Sequence, residues 1–417
     1  MPAVPFLAIP CLVAILVGGA IFWTFPEALP FWRSLGIVLG WGGCGLLLAS
    51  LLLMVREARL ARWLGGLERM YRWHHGTGVV AYLCLLAHPL ALAAGAWEES
   101  PRLAWQTLSP WSESWPVWAG WGSLLLLMAG LAATFRRGLG YRIWRGLHGL
   151  LGVAVLVGLG HLVLLGLSAP ILAALILAVA FLGWRLVRVD FGSAARPYTV
   201  AAVRPVARDM VEIALTPLAE PIAAQVGQFV LVAFLRGEHF RGCGEFHPFT
   251  LSAVDPPGRL RIGVKALGDC TRHIQAIEPG VAVRVQGSFG VFLDAAVAAP
   301  QFWIAGGIGI TPFLAALRGG MPAQSIRLLY LYRHDADAAF VDELQAIAAQ
   351  EPGLTLRLQA TGDGIPDLRQ WLPEAADLVG HECYLCGPPA LVAALRPLLE
   401  ERGLAGRHLH FESFDFR

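Results

Sequence analysis

Two apolar stretches decide the fold: residues 71–97, YRWHHGTGVVAYLCLLAHPLALAAGAW, and residues 141–167, YRIWRGLHGLLGVAVLVGLGHLVLLGL. Each can cross about 30 Å of hydrocarbon, which takes about 20 helical residues. Each also carries imidazoles at or near membrane depth: His74, His75 and His88 in the first, His148 and His161 in the second. An ionisable side chain there is costly and points to function before packing. A single such histidine often hydrogen-bonds a neighbouring helix. Matched pairs on two helices argue for something held between them, and neutral imidazole is a ligand of haem iron.

In each stretch a second histidine follows the first by 13 or 14 residues, about 20 Å along the axis at 1.5 Å per residue. At about 100° per residue, a 14-residue step returns to within about 40° of its start, whereas a 13-residue step lands about 140° away. His74 is therefore the better partner of His88, and His75 reads as an interfacial residue. His148 and His161 are 13 apart. Either Gly158 and Gly160 distort that helix, or it meets its two ligands from different sides.

Working outward, the composition agrees with a chain partly in lipid. Of 417 residues, 56% are apolar and 15% charged, against about 25% charged in ordinary soluble domains. Six stretches are long enough to span: 5–24, 34–55, 75–97, 116–134, 147–167 and 170–187. The opening MPAVPF lacks a basic n-region, so the first stretch is expected to be a retained span. Arginines cluster after the second span (Arg56, Arg59, Arg62, Arg69, Arg72), the fourth (Arg136, Arg137, Arg142, Arg145) and the sixth (Arg185, Arg188, Arg196). Positive charge stays inside, so both termini are expected to be cytosolic, in a multi-pass membrane protein. The net charge of +2 gives no sign of a nucleic-acid partner. Seven cysteines form no disulfide framework, and the lone pair Cys383 and Cys386 cannot supply a four-ligand zinc site.

From about residue 194 the texture changes. Short strand-like runs alternate with Pro and Gly turns, predicting an antiparallel barrel. Its chemistry-bearing residues are His247, Pro248, Phe249 and Thr250, where a flavin ring would find a flat neighbour and a hydrogen-bond donor. Lys265, Gly268 and Thr271 follow, opening a short helix that can offer backbone N–H groups to a diphosphate. From about 299 the pattern alternates strand and helix, predicting an α/β unit. It opens with Gly306, Gly307, Gly309, Thr311 and Pro312, a glycine turn between strand and helix that suits close approach to a dinucleotide. The next strand ends in Arg333, which suits a 2′-phosphate. Cys386, Gly387 and Pro388 follow a later strand, placed to lie against a nicotinamide. Phe414 or Phe416 stands close to the end and could cover the flavin or pack on the sheet.

In this order the motifs resemble the ferric reductase and NADPH oxidase superfamily, in its compact bacterial NADPH oxidase-like form, over essentially the whole chain. The resemblance implies a six-helix haem domain over 1–190, an FAD-binding β-barrel over 194–298 and an NAD(P)H-binding α/β domain over 299–417. It implies two b-type haems, with His74 and His148 on the inner and His88 and His161 on the outer. It assigns FAD to His247, Pro248, Phe249, Thr250, Lys265, Gly268 and Thr271, with Phe414 stacked on the flavin. It assigns NADPH, or alternatively NADH, to Gly306, Gly307, Gly309, Thr311, Pro312, Arg333, Cys386, Gly387 and Pro388. Cys386, Phe414 and Thr250 would take part in hydride transfer. The implied activity is transmembrane electron transfer to dioxygen, giving superoxide, with a ferric chelate or a membrane protein as the alternative acceptor; no obligatory protein partner is evident. Two positions depart from the family: Leu92 stands where animal oxidases carry a further histidine, and Cys270 where an aromatic is common.

Overall fold

The structure, a computed structural model, describes residues 29–417 apart from 112–113, 137, 167–168, 291, 294–298, 321–324, 365 and 414–417, together with Cys11, Val13, Ile15, Gly18, Gly19, Phe22 and Phe25. The chain forms two compact units, Met1–Ser193 and Ala194–Arg417.

In the first unit five helices are long and apolar enough to cross a membrane. They are α1 (Phe31–Leu52), α3 (Leu67–Glu99), α5 (Trp115–Phe135), α6 (Tyr141–Leu164) and α7 (Ala169–Arg185). The span expected over 5–24 lies mostly outside the described residues. Two short helices, α2 (Ala58–Trp63) and α4 (Pro101–Leu108), complete the unit. The third expected span is longer than its apolar run, because α3 begins at Leu67 and carries the arginine-rich segment into the helix. Helix α4 was not expected. Ser100 caps it, accepting from the Leu103 N–H at 3.2 Å, and Pro101 sits at its first position; both are start signals a sequence can show.

Apolar helices gain little from burial against one another in lipid, so small residues that permit close approach set the contacts. Gly36, Gly40 and Gly43 of α1 do this. A Cβ at these positions would meet Leu92 at 2.6 Å, His88 at 2.8 Å and Leu85 at 2.5 Å, all on α3. Helices α5 and α6 meet the same way, with Leu151 packed over Gly130 and the Ser123 hydroxyl donating to the Ala154 carbonyl at 2.8 Å.

The second unit opens with a closed antiparallel barrel in the order β1-β2-β5-β4-β3-β6. Its strands are β1 (Arg196–Ala207), β2 (Met210–Pro217), β3 (Phe229–Phe234), β4 (His247–Asp255), β5 (Arg259–Lys265) and β6 (Ala282–Phe289). Helix α8 (Asp269–Ile274) links the last two. Tyr198, Ile213, Leu215, Phe234, Leu251 and Ile262 are fully or almost fully buried in its core.

A five-stranded parallel sheet follows: β7 (Gln301–Gly306), β8 (Ile326–Tyr332), β9 (Leu354–Ala360), β10 (Glu382–Gly387) and β11 (Leu409–Ser413), in the order β11-β10-β7-β8-β9. Helices α9 (Thr311–Arg318), α10 (Val341–Gln350), α11 (Ala375–Leu378) and α12 (Pro389–Glu401) alternate with these strands along the chain. Every residue of β7 is buried, as expected of a central parallel strand covered on both faces. The chain runs outward from β7 in both directions, so the strand order reverses between β7 and β10. In open α/β sheets the ligand crevice lies at that reversal, beyond the strands' carboxyl ends.

Candidate functional site

Within the helical unit the four histidines separate into two cavities. His74 and His148 line one of about 440 Å³, which His75, Tyr82, Arg145 and Arg185 also border. His88 and His161 line another of about 710 Å³, bordered by Arg33, Leu92, Gln106 and Thr107. The His74 and His148 ring centres are 6.1 Å apart. His75 instead sets its ring edge against Phe135, while still bordering the cavity.

Each imidazole is oriented through Nδ1. His74 Nδ1 lies 3.0 Å from the Ser50 carbonyl and 2.7 Å from its hydroxyl. His88 Nδ1 donates to the Gly36 carbonyl at 2.7 Å, and His161 Nδ1 donates to the Pro116 carbonyl. His148 Nδ1 sits 3.0 Å from Thr134 Oγ1, and its ring stacks on Trp144. A donor bond from Nδ1 leaves the Nε2 lone pair for a metal, the arrangement that orients most ligating histidines. The supporting groups come from α1 for the α3 histidines and from α5 for the α6 pair. Sequence reading did not find them, because a backbone carbonyl on another helix leaves no motif.

The 13-residue step on α6 has a geometric answer. The helix runs unbroken from Tyr141 to Leu164 and faces α5 with Leu151, Ala154 and Gly158. At about 100° per residue, His148 and His161 fall on opposite flanks of that stripe. The helix meets its two cavities from different sides.

In the second unit, β4 carries the expected flavin residues. Thr250 is 4% exposed and Phe249 8% exposed, while His247 is half-buried. Thr250 Oγ1 and His247 Nε2 are buried atoms with no hydrogen-bond partner among the described residues. Burial also lowers the His247 imidazole below its ordinary range, with Glu245 opposing. Pro248 pairs with Leu231 of β3. The Thr271 hydroxyl accepts the N–H groups of Leu267 and Gly268 at 2.9 and 2.8 Å, so this turn is capped from within. Lys265, expected with the flavin, brings Nζ to 3.9 Å from where a Gly307 Cβ would lie, which places it beside the nucleotide turn.

The glycine turn sits at the sheet reversal. Gly307 has φ +54°, and Lys265 is the sole neighbour its Cβ would meet within 4 Å among the described residues. Gly309 packs so tightly on β10 that a Cβ would collide with the Cys386 carbonyl, and a Cβ at Gly306 would strike Leu391 and come to 3.1 Å from Pro388. Thr311 and Pro312 are buried in α9, and the Thr311 hydroxyl donates to the Ile308 carbonyl at 3.0 Å. Cys386 is buried and followed by Gly387. Arg333 is exposed after β8 and forms no ion pair among the described residues. Strand β11 ends with Ser413 paired to Gly387; Phe414 and Phe416 lie outside the described residues.

Three family matches follow the same division. Residues 39–159 match the ferric reductase like transmembrane component, 196–282 an FAD-binding domain and 303–396 an oxidoreductase NAD-binding domain. The chain belongs to the ferric reductase and NADPH oxidase superfamily. It is a multi-pass membrane protein and an NAD(P)H-dependent flavin oxidoreductase of ferric reductase type, moving electrons from NAD(P)H by way of FAD to its ferric reductase domain. Among its relatives, the ferredoxin–NAD(P)+ reductase component of the naphthalene 1,2-dioxygenase/salicylate 5-hydroxylase systems of Ralstonia sp. is 27% identical over 230 residues, covering 52% of this chain and 68% of that protein. A flavohemoprotein of Pseudomonas aeruginosa is 27% identical over 251 residues, covering 56% and 60%. The flavohem-like FAD/NAD binding domain of nitric oxide dioxygenase from Vibrio cholerae is 19% identical with a TM-score of 0.45, covering 53% of this chain and 98% of that one, a likeness too low to carry a functional argument.

The residues present fit these groups. Two imidazoles on one metal ion, with metal–nitrogen bonds of about 2.0–2.1 Å, have ring centres about 6 Å apart, which matches the His74–His148 spacing. The unpartnered Thr250 hydroxyl and His247 nitrogen fit a polar ligand along β4. The open side of Gly307 beside Lys265 fits a dinucleotide diphosphate.

Proposed function

We propose that the enzyme carries electrons from NADPH through FAD and two b-type haems to dioxygen on the outer face, producing superoxide. The observation that carries this reading is the pair of cavities in the helical unit, each bordered by an α3 and an α6 histidine whose Nδ1 is already engaged, His74 with His148 in one and His88 with His161 in the other. His74 and His148 would hold the inner haem, and His88 and His161 the outer. Bound flavin would supply the conversion of a two-electron hydride donor to single-electron delivery, and bound haem the single-electron relay across the bilayer.

The chain's own residues do the positioning. Thr250 donates to the flavin edge from a rigid strand, and Phe249 lies beside it. Gly307 and Lys265 receive the dinucleotide diphosphate at the sheet reversal, and Gly306 and Gly309 let the β7 and β10 turns close on each other. Cys386 and Gly387 would hold the nicotinamide, and Phe414 would serve as the flavin cover. Arg333 favours a 2′-phosphate, because an acid would occupy the strand end in an NAD-selective site. The arginine-rich loops set both termini in the cytosol.

A ferric chelate is the second reading of the acceptor. It is favoured by the outer cavity's border, where apolar Leu92 replaces a further histidine and Arg33, Gln106 and Thr107 supply the polar groups. The two separate in one assay: NADPH-driven reduction of a reporter dye. Sensitivity to superoxide dismutase supports oxygen, and insensitivity supports a direct metal acceptor.

A further inference from the structure

Three metal-binding side chains converge where the second unit's barrel meets α8. Glu245 lies two residues before β4, His247 opens β4, and Cys270 is the second residue of α8. One ligand atom from each lies within 4.8 Å of the other two. His247 Nε2 is buried and has no hydrogen-bond partner among the described residues. Glu245 and Cys270 are half-buried, so an ion has a route in. The loop carrying Glu245 is tied to α8 by Cys243, whose thiol donates to the Cys270 carbonyl at 3.7 Å.

The separations suit one ion. Zinc holds sulfur at about 2.3 Å and nitrogen or oxygen at about 2.0–2.2 Å, which places tetrahedral donors about 3.3–3.8 Å apart. Closing a triangle with sides of at most 4.8 Å takes no more than about 1.5 Å of side-chain adjustment by that measure. Thiolate and imidazole select a zinc-class ion over magnesium or calcium, which prefer oxygen donors. Three protein ligands leave a fourth position for water.

We propose that Glu245, His247 and Cys270 form a binding site for a soft divalent cation of the zinc class, and that its occupation excludes flavin from the His247 end of β4. The first half stands without the flavin reading, and the second half rests on it. Binding takes Cys270 as thiolate and releases its proton to solvent. No electron moves and no covalent bond is made beyond the metal–ligand bonds. The consequence is an inhibitory site at the point where flavin enters.

The test uses the full chain in detergent, flavin-loaded and flavin-depleted, with Cd2+ as the spectroscopic probe and Zn2+ as its competitor. The depleted chain should develop a thiolate-to-cadmium charge-transfer band that saturates at one equivalent and is displaced by zinc. Cys270→Ser should abolish the band, and Glu245→Gln should weaken cadmium binding about tenfold. In the loaded chain zinc should release FAD, read as recovered free-flavin fluorescence, from the wild type and not from Cys270→Ser. A missing band, or one that survives Cys270→Ser, overturns the site. A Cys270-dependent band with FAD fully retained leaves the site standing and overturns the exclusion. Failure of the flavin reading itself appears separately, as a Thr250→Val chain that binds FAD like the wild type.

Discussion

Arg318, on the helix that follows the nucleotide turn, donates to the Glu212 carboxylate of the barrel at 2.6 Å, with both side chains largely buried. The same guanidinium binds Glu343 of α10 at 2.7 Å and the Ser252 carbonyl at 3.0 Å. Ser252 also donates to Glu212 at 2.7 Å. One cation therefore joins β2, β4, α9 and α10, and fixes how barrel and sheet meet. Burial works to lower the Arg318 pKa, but Glu343 and Glu212 outweigh it and hold the group charged.

Arg318→Met should cost about 1.5–3 kcal/mol, the worth of hydrogen bonds to a charged group, because it leaves the buried Glu212 carboxylate with Arg204, at 2.9 Å, as its remaining cationic partner. Denaturant unfolding of the second unit within the full chain checks this. Replacing Glu212 and Arg318 together with apolar residues should recover much of the loss.

The same cluster sets a pH dependence. Burial raises Glu212, but its bonds from Arg318 and Ser252 bring it below the ordinary carboxylate range; the Arg318 bond lowers Glu343 as well. A depressed folded pKa contributes stability that is complete above the unfolded value of about 4.3 and is lost as pH falls through the folded value. The cluster's contribution to melting temperature, read as the difference between the wild type and Arg318→Met, should therefore stay level from neutral pH down to the ordinary carboxylate range and drop below it.

Thr250→Val separates a ligand role from a packing role. A buried hydroxyl without a partner costs about 1–3 kcal/mol, so its removal should leave the flavin-free chain as stable as the wild type or more so. FAD affinity should fall about tenfold, the worth of one hydrogen bond. Isothermal titration of the depleted chain with FAD, alongside its melting curve, reads both.

Gly40→Ala would bring a Cβ to 2.8 Å from the His88 ring, pushing that imidazole off its Gly36 bond. The outer haem's reduction potential and b-type spectrum should change while the inner haem's remain. Redox titration followed optically distinguishes the two.

Much of this was legible in the sequence. The apolar runs gave five of the described helices, because lipid-spanning segments need length and composition more than partners. Pro and Gly punctuation marked the barrel, and GGIGITP marked a strand-to-helix glycine turn, which the structure places at the sheet reversal. Helix starts were less legible: α6 begins at Tyr141 rather than at the apolar run near 147, since its first turns are polar. The Arg318–Glu212 link was not legible. Its partners lie 106 residues apart, and no local pattern encodes such a pairing. The orienting carbonyls of Gly36 and Pro116 escaped for the same reason. The 13-residue spacing of His148 and His161 left two readings open, and the contact stripe toward α5 chose between them.

The central claim is that four imidazoles hold two haems. The most direct measurement is haem per chain, by pyridine haemochrome assay, in the wild type, His88→Ala and His161→Ala. Two haems in the wild type and one in each variant, with the inner spectrum retained, are predicted. Unchanged haem content and redox spectra in both variants would contradict the account.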